Sequence, residues 1–168
     1  MGGYGWGDVQ EAELINAVYS ALDKGITIFD TAGTYGLGQS ERTLAKALGT
    51  KRKDIVIADK FGVRVGTRGT VYDNSPEYMR EALDSSLKRL KTDYIDLYQV
   101  HYRDSCTPLS AVIDTLEEFK KVGKIRYYGL SNIHEEDYDE IKPYIGKIVS
   151  VQDEYSLACR KNEKDLLT

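Results

Sequence analysis

The feature that most constrains this chain is a regular alternation of helix-period segments with short, almost uncharged runs of Ile, Val, Tyr and Phe. Ile26-Thr-Ile-Phe29, Asp54-Ile-Val-Ile-Ala58, Tyr94-Ile-Asp-Leu-Tyr-Gln-Val100, Ile125-Arg-Tyr-Tyr-Gly-Leu130 and Ile148-Val-Ser-Val151 read as strands. A helix precedes each of them. The first is capped by Asp8, with Glu11 in the capping-box position and Leu14, Ile15, Val18 and Leu22 on one face. Ser40 opens the second, with Leu44, Ala45 and Leu48 inward. Ser75-Pro76 opens the third, with Met79, Leu83, Leu87 and Leu90 inward. Thr107-Pro108 opens the fourth, with Leu109, Val112, Leu116 and Phe119 inward. The acidic run Glu135-Glu-Asp137 starts the last, at the end where the helix dipole favours carboxylates. Helices between strands enforce parallel pairing, and strands apolar on both sides demand cover on both faces. The expected class is α/β, one domain over residues 1–168, with residues 61 to 74 as its only long irregular segment.

An open doubly wound sheet and a β/α barrel both predict this order. The doubly wound reading calls for a glycine-rich turn directly after the first strand. Here Gly36 and Gly38 come late and lack a third glycine. What recurs instead is a polar residue at the carboxyl end of each strand: Asp30, Lys60, His101, Asn132 and Gln152. In a barrel these ends converge on one mouth, where the catalytic groups of such folds lie. Each has an ordinary reading by itself, since a carboxylate caps loops and a lysine snorkels to solvent. Their recurrence at equivalent places favours a shared site.

Composition narrows the partners. A net charge of −4 leaves no basic footprint for nucleic acid. No run approaches the length of apolar residues that a membrane span needs, and Met1 to Asp8 lacks the pattern of a signal peptide. Cys106 and Cys159 lie far apart without metal-ligand spacing, as expected of free thiols in a cytosolic protein. Thirteen tyrosines against three phenylalanines mean that many core aromatics must find a hydroxyl partner.

Phe29-Asp-Thr-Ala-Gly-Thr-Tyr-Gly36 with Ser40-Glu41, Ala58-Asp-Lys-Phe-Gly62, Asp93 to His101, Gly123-Lys-Ile-Arg126, Gly129-Leu-Ser-Asn132 and Val151-Gln-Asp-Glu-Tyr-Ser156 follow one another along the chain. Together they resemble the successive signatures of the aldo-keto reductase superfamily. The resemblance implies a parallel (β/α)8 TIM barrel, here incomplete with about five strands. It further implies NADP(H), with NAD(H) also admitted, and reduction of a small aldehyde or ketone. It places the catalytic positions at Asp30, Tyr35, Lys60 and His101, and the nicotinamide carboxamide against Ser131, Asn132 and Gln152. Asp153 stands where the family commonly has Asn.

Carbonyl reduction needs a hydride on carbon and a proton on oxygen. A free tyrosine is a weak donor at neutral pH, and an adjacent ammonium stabilises the phenolate it leaves. Lys60 is expected to take that part for Tyr35, the acid in reduction and the base in alcohol oxidation, with Asp30 orienting Lys60 and His101 positioning the substrate oxygen or sharing the proton transfer. Two alternatives stand beside this: a barrel aldolase with Lys60 as Schiff base, and a regulatory relative that binds NADP(H) without significant turnover. Trp6, in Tyr4-Gly-Trp-Gly7, either reaches the mouth or packs.

A complete barrel has eight strands and about 250 residues, more than these 168 provide. Five parallel strands leave two unpaired edges, so such a piece is expected to aggregate, to pair with another copy or to be the ordered part of a longer polypeptide, and alone to turn over weakly, for want of the segments that grip the rest of the cofactor.

Overall fold

The computed structural model describes residues 9–67 and 69–163. In chain order the elements are α1 (Glu11–Asp23), β1 (Ile28–Asp30), α2 (Gln39–Leu48), β2 (Val56–Phe61), β3 (Val63–Gly66), β4 (Gly69–Tyr72), α3 (Pro76–Leu90), β5 (Ile95–Val100), α4 (Leu109–Lys121), β6 (Ile125–Ser131), α5 (Tyr138–Ile141) and β7 (Val151–Gln152). The five strands expected from the sequence form one parallel sheet in the order β1-β2-β5-β6-β7. Each successive long-range strand is laid beside the last, which is how a β/α barrel grows. The architecture is an incomplete barrel of the (β/α)8 type.

Register explains both the core and the mouth. Asp30 pairs with Ala58, Ala58 with Leu97 and Leu97 with Tyr127, so one row of side chains crosses the sheet on its inner face. One step along, Lys60 pairs with Gln99 and Gln99 with Gly129. The alternate residues Tyr98, Val100, Tyr128 and Leu130 are fully buried beneath the helices. They pack with Leu44, Met79, Leu83, Leu109, Ile113, Leu116 and Phe119 into a continuous core. The inner face is different: Ile28 is 64% exposed and Tyr127 54%, because five strands do not close around it.

Several expectations are corrected. Residues 61 to 74 are not irregular, since β3 and β4 pair antiparallel from Val63↔Tyr72 to Gly66↔Gly69. Ser40 does not cap α2; that helix starts at Gln39 behind Gly38, and Ser40 bonds to Thr31 instead. Thr107 does not cap α4 either, being held by Asp104, while the first helical N–H, of Leu109, is taken by the Glu140 carboxylate. Ser75 caps α3 as expected, accepting from the Tyr78 N–H at 3.3 Å. The last helix is short, a four-residue α5 between two 3-10 turns. The expected Asp8 cap, and Trp6, lie outside the described residues.

Asp96 in β5 and Arg126 in β6 are partnered. Asp96 accepts from Arg52 at 2.8 Å, Arg126 at 2.9 Å and the Ile57 N–H at 3.0 Å. The tyrosine hydroxyls divide. Tyr128 donates to Glu117 and Tyr78 to the Val63 carbonyl, whereas the buried Tyr98 hydroxyl has no partner. Cys106 and Cys159 are free thiols. Among the described residues, no helix is long and apolar enough to cross a membrane.

Candidate active site

Lys60 is the last inner-face residue of β2, and its side chain is 3% exposed. An ammonium buried there needs partners. It finds Asp30 Oδ1 and Oδ2, both at 2.6 Å, the Thr31 carbonyl at 3.3 Å and the Tyr35 hydroxyl oxygen at 3.4 Å. Asp30 closes β1, the neighbouring strand, so sheet pairing alone brings carboxylate and ammonium together. Tyr35 comes from the tight loop that follows, where its N–H bonds to the Ala32 carbonyl.

His101 follows β5, and its N–H donates to the Phe61 carbonyl at 2.8 Å. Its ring meets that of Tyr35 edge-on, with centroids 5.8 Å apart. Burial, reinforced by the positive charge of Lys60 and opposed by Asp30, pushes the imidazole pKa down to about 4. At neutral pH this histidine is therefore uncharged, a hydrogen-bond donor or acceptor rather than an acid.

Ser131, Asn132 and Gln152 lie across the mouth. Gln152 Nε2 donates to Asp30 Oδ2 at 3.2 Å, and Ser131 Oγ lies 3.4 Å from Gln152 Oε1. Asn132 adopts a left-handed backbone (φ 51°), and its Nδ2 donates to the His101 carbonyl at 2.9 Å. Its side-chain oxygen is left for other partners. All seven residues singled out in the sequence thus gather at one end of the sheet. A cavity of about 290 Å³ opens there, lined by Tyr35, Lys60, His101, Tyr102, Ser131, Asn132, Gln152 and neighbours.

Sequence reasoning missed two groups. Tyr102 stacks on His101 at 5.1 Å and on Tyr72 of the hairpin at 5.0 Å. Asn74, fully buried, joins hairpin and mouth: its Nδ2 donates to the Tyr102 carbonyl, and its Oδ1 accepts from the Asp104 N–H. The only signal for either was its place in a long loop after a strand. Asp153, noted as a departure from the family, accepts from the Ile133 N–H at 3.3 Å.

The profile of the Aldo/keto reductase family matches residues 1–168. The chain belongs to this family. Aldo-keto reductase YhdN of Bacillus subtilis (strain 168) is 36% identical over 99% of this chain and 51% of its own length. The holo form of the aldo-keto reductase AKR11C1 from Bacillus halodurans superposes with a TM-score of 0.85 at 39% identity, over 94% of this chain and 53% of that one. An aldo-keto reductase from Klebsiella pneumoniae in complex with NADPH superposes with a TM-score of 0.80 at 30% identity, over 94% and 53%. The chain therefore spans about half the length of the aldo-keto reductases it matches.

Proposed function

We propose that this chain carries the chemical centre of an NAD(P)H-dependent reductase of small aldehydes or ketones, with Tyr35 as the acid that protonates the carbonyl oxygen. The observation that carries the reading is the single ammonium of Lys60, shared between both oxygens of Asp30 and the hydroxyl of Tyr35. Donation by Tyr35 leaves a phenolate, and a positive charge 3.4 Å away stabilises it. Asp30 holds Lys60 oriented and charged. Neutral His101, edge-on to the Tyr35 ring, orients the substrate oxygen towards the phenol.

The donor set fits the carboxamide end of a nicotinamide. Ser131, Asn132 and Gln152 offer hydroxyl and amide groups along one wall of the cavity, and its 290 Å³ is at the small end for ligand pockets. That is room for a ring and a small carbonyl compound, not for a whole dinucleotide. A bound nicotinamide would supply hydride to the carbonyl carbon. NADPH is the expected cofactor, in keeping with the Klebsiella pneumoniae complex; NADH is the alternative the assay must include.

Replacing Tyr35 by Phe should lower aldehyde reduction by about 10²–10⁴-fold, the usual contribution of a positioned acid. Undiminished turnover would sink the assignment. The 168-residue chain by itself should turn over weakly, because few of these residues can hold the remainder of the cofactor. Calorimetry with NADPH tests this, and micromolar binding with robust turnover would refute it. Among the described residues the outer edges of β1 and β7 carry no partner strand, which favours self-association; sedimentation at two concentrations would reveal it. A Schiff-base role for Lys60 has less support, since its amine is engaged as an ammonium by Asp30 and nearly sealed from solvent. Borohydride trapping of an adduct on Lys60 would favour that alternative.

A further inference from the structure

The loop that delivers Tyr35 has an unusual backbone. Gly36, Leu37 and Gly38 follow one another with φ of 58°, 53° and 85°. Leucine is disfavoured in this left-handed region, and Leu37 is 64% exposed, so its own packing does not explain the shape. The neck of the loop is closed by a 2.8 Å hydrogen bond between the Thr31 and Ser40 hydroxyls, and by the Ser40 N–H donating to the Tyr35 carbonyl. Beneath the loop lies Arg89, which reaches up from α3.

Arg89 grips Glu41 as a fork, Nε on Oε2 and Nη2 on Oε1 at 3.1 Å, and Nη2 also donates to Ser86 Oγ at 3.2 Å. Glu41 lies in the first turn of α2, directly after the loop, and is fully buried. The two glycines on either side of Tyr35 rest on the arginine side chain. A Cβ built on Gly33 would come 3.1 Å from Arg89 Nη2, and one on Gly38 would come 2.5 Å from Arg89 Cδ. The backbone thus settles onto Arg89 as closely as glycine allows. Arg89 does not line the cavity around Tyr35 and Ser131, but a neighbouring one that Lys60 and His101 also border.

We infer that the buried Glu41–Arg89 pair is a positioning element for Tyr35, propping the loop from below so that the phenol reaches Lys60 and faces His101. The functional weight of this inference rests on the reading of Tyr35 given above, but its geometry is measurable without turnover. A pair that merely stabilised the fold would leave the Tyr35–His101 contact intact whenever the protein folds. A positioning pair would not.

His101 reports on that contact, and the chain has only one other histidine, His134. In the unaltered protein, NMR should show a cross-peak between the Tyr35 ring and the His101 imidazole, with His101 titrating near 4. Removing both charges together, as Glu41→Gln with Arg89→Met, avoids stranding a lone buried carboxylate. In the folded double variant we expect the cross-peak to vanish and the His101 midpoint to move up towards 6.5 as water enters. Arg89→Lys keeps the charge but loses the fork, and should recover the contact only in part. An unchanged cross-peak and midpoint in a cooperatively folding double variant would overturn the inference. Should that variant not fold, Arg89→Lys alone is read the same way: an unchanged cross-peak and midpoint in it would overturn the inference. Failure here is distinct from failure of the acid assignment, which only Tyr35→Phe turnover addresses.

Discussion

Asp59 offers the sharpest test of how this fold treats charge. It sits in β2 beside Lys60, but on the opposite, helix-covered face, where it is fully buried, with the Ser86 hydroxyl and the Lys60 backbone near enough to ease its charge but neither in good hydrogen-bond geometry. Glu41 faces it from α2, Ser86 and Arg89 from α3, and Tyr98 from β5. Burial, with the negative charge of Glu41 adding to it and Arg89 opposing it, pushes the Asp59 pKa up to about 8. The unfolded chain loses this proton near 3.8 and the folded chain only near 8, so between those values the unfolded state is the one that ionises freely. Stability therefore falls as pH rises through this window. At about 1.4 kcal/mol per pH unit, the fall reaches roughly 6 kcal/mol at most across the window from 3.8 to about 8, a large part of the 5–15 kcal/mol that holds a typical domain together. Asp59→Asn has nearly the same shape and no proton to lose. Urea unfolding at pH 5 and pH 8 should show the midpoint of the unaltered chain dropping relative to that of the variant, which shares every other titration, His101 included, with little change in slope. Parallel behaviour of the two proteins would refute the reasoning, because it would mean that Asp59 ionises in place without penalty.

Two further outcomes follow from the structure. Asp96→Ala should destabilise the fold by about 3–5 kcal/mol, since it strands the nearly buried Arg52 and the Ile57 N–H together; the half-exposed Arg126 adds little, and a loss under about 1 kcal/mol in urea unfolding would contradict this. The depressed pKa of His101 implies the opposite pH dependence to that of Asp59, with stability lost as pH falls from 6.5 towards 4 because the unfolded chain takes up that proton first; an NMR midpoint for His101 near 6.5 in the folded chain would remove this contribution.

Strands and mouth were legible in the sequence because both obey local rules. Apolar runs bounded by helices must pair in parallel, and the last inward residue of each strand must lie at the mouth. That places Asp30, Lys60, His101, Asn132 and Gln152 together before any contact is known. The β3–β4 hairpin was passed over although Val63-Arg-Val65 and Thr70-Val-Tyr72 flank a glycine-bounded turn: each strand is only four residues long and, after Val63, exposed, too short a run to stand out from a loop. Ser40 misleads as a cap because a hydroxyl at a helix start has two uses, and here the bond to Thr31 takes precedence over the backbone.

By itself, the sequence determined the α/β order, the identity of the groups at the mouth and the neutral-pH chemistry those groups permit. Only the tertiary structure decided how they are held. Arg89 and Glu41 are 48 positions apart, and Gln152 and Asp30 are 122 apart. No periodicity connects such pairs, because a hydrogen bond between distant segments depends on where the sheet curvature and helix packing bring two side chains, to within a fraction of an ångström. The neutrality of His101 and the raised pKa of Asp59 have the same origin. Both follow from exclusion of water, and water is excluded only once the layers are packed.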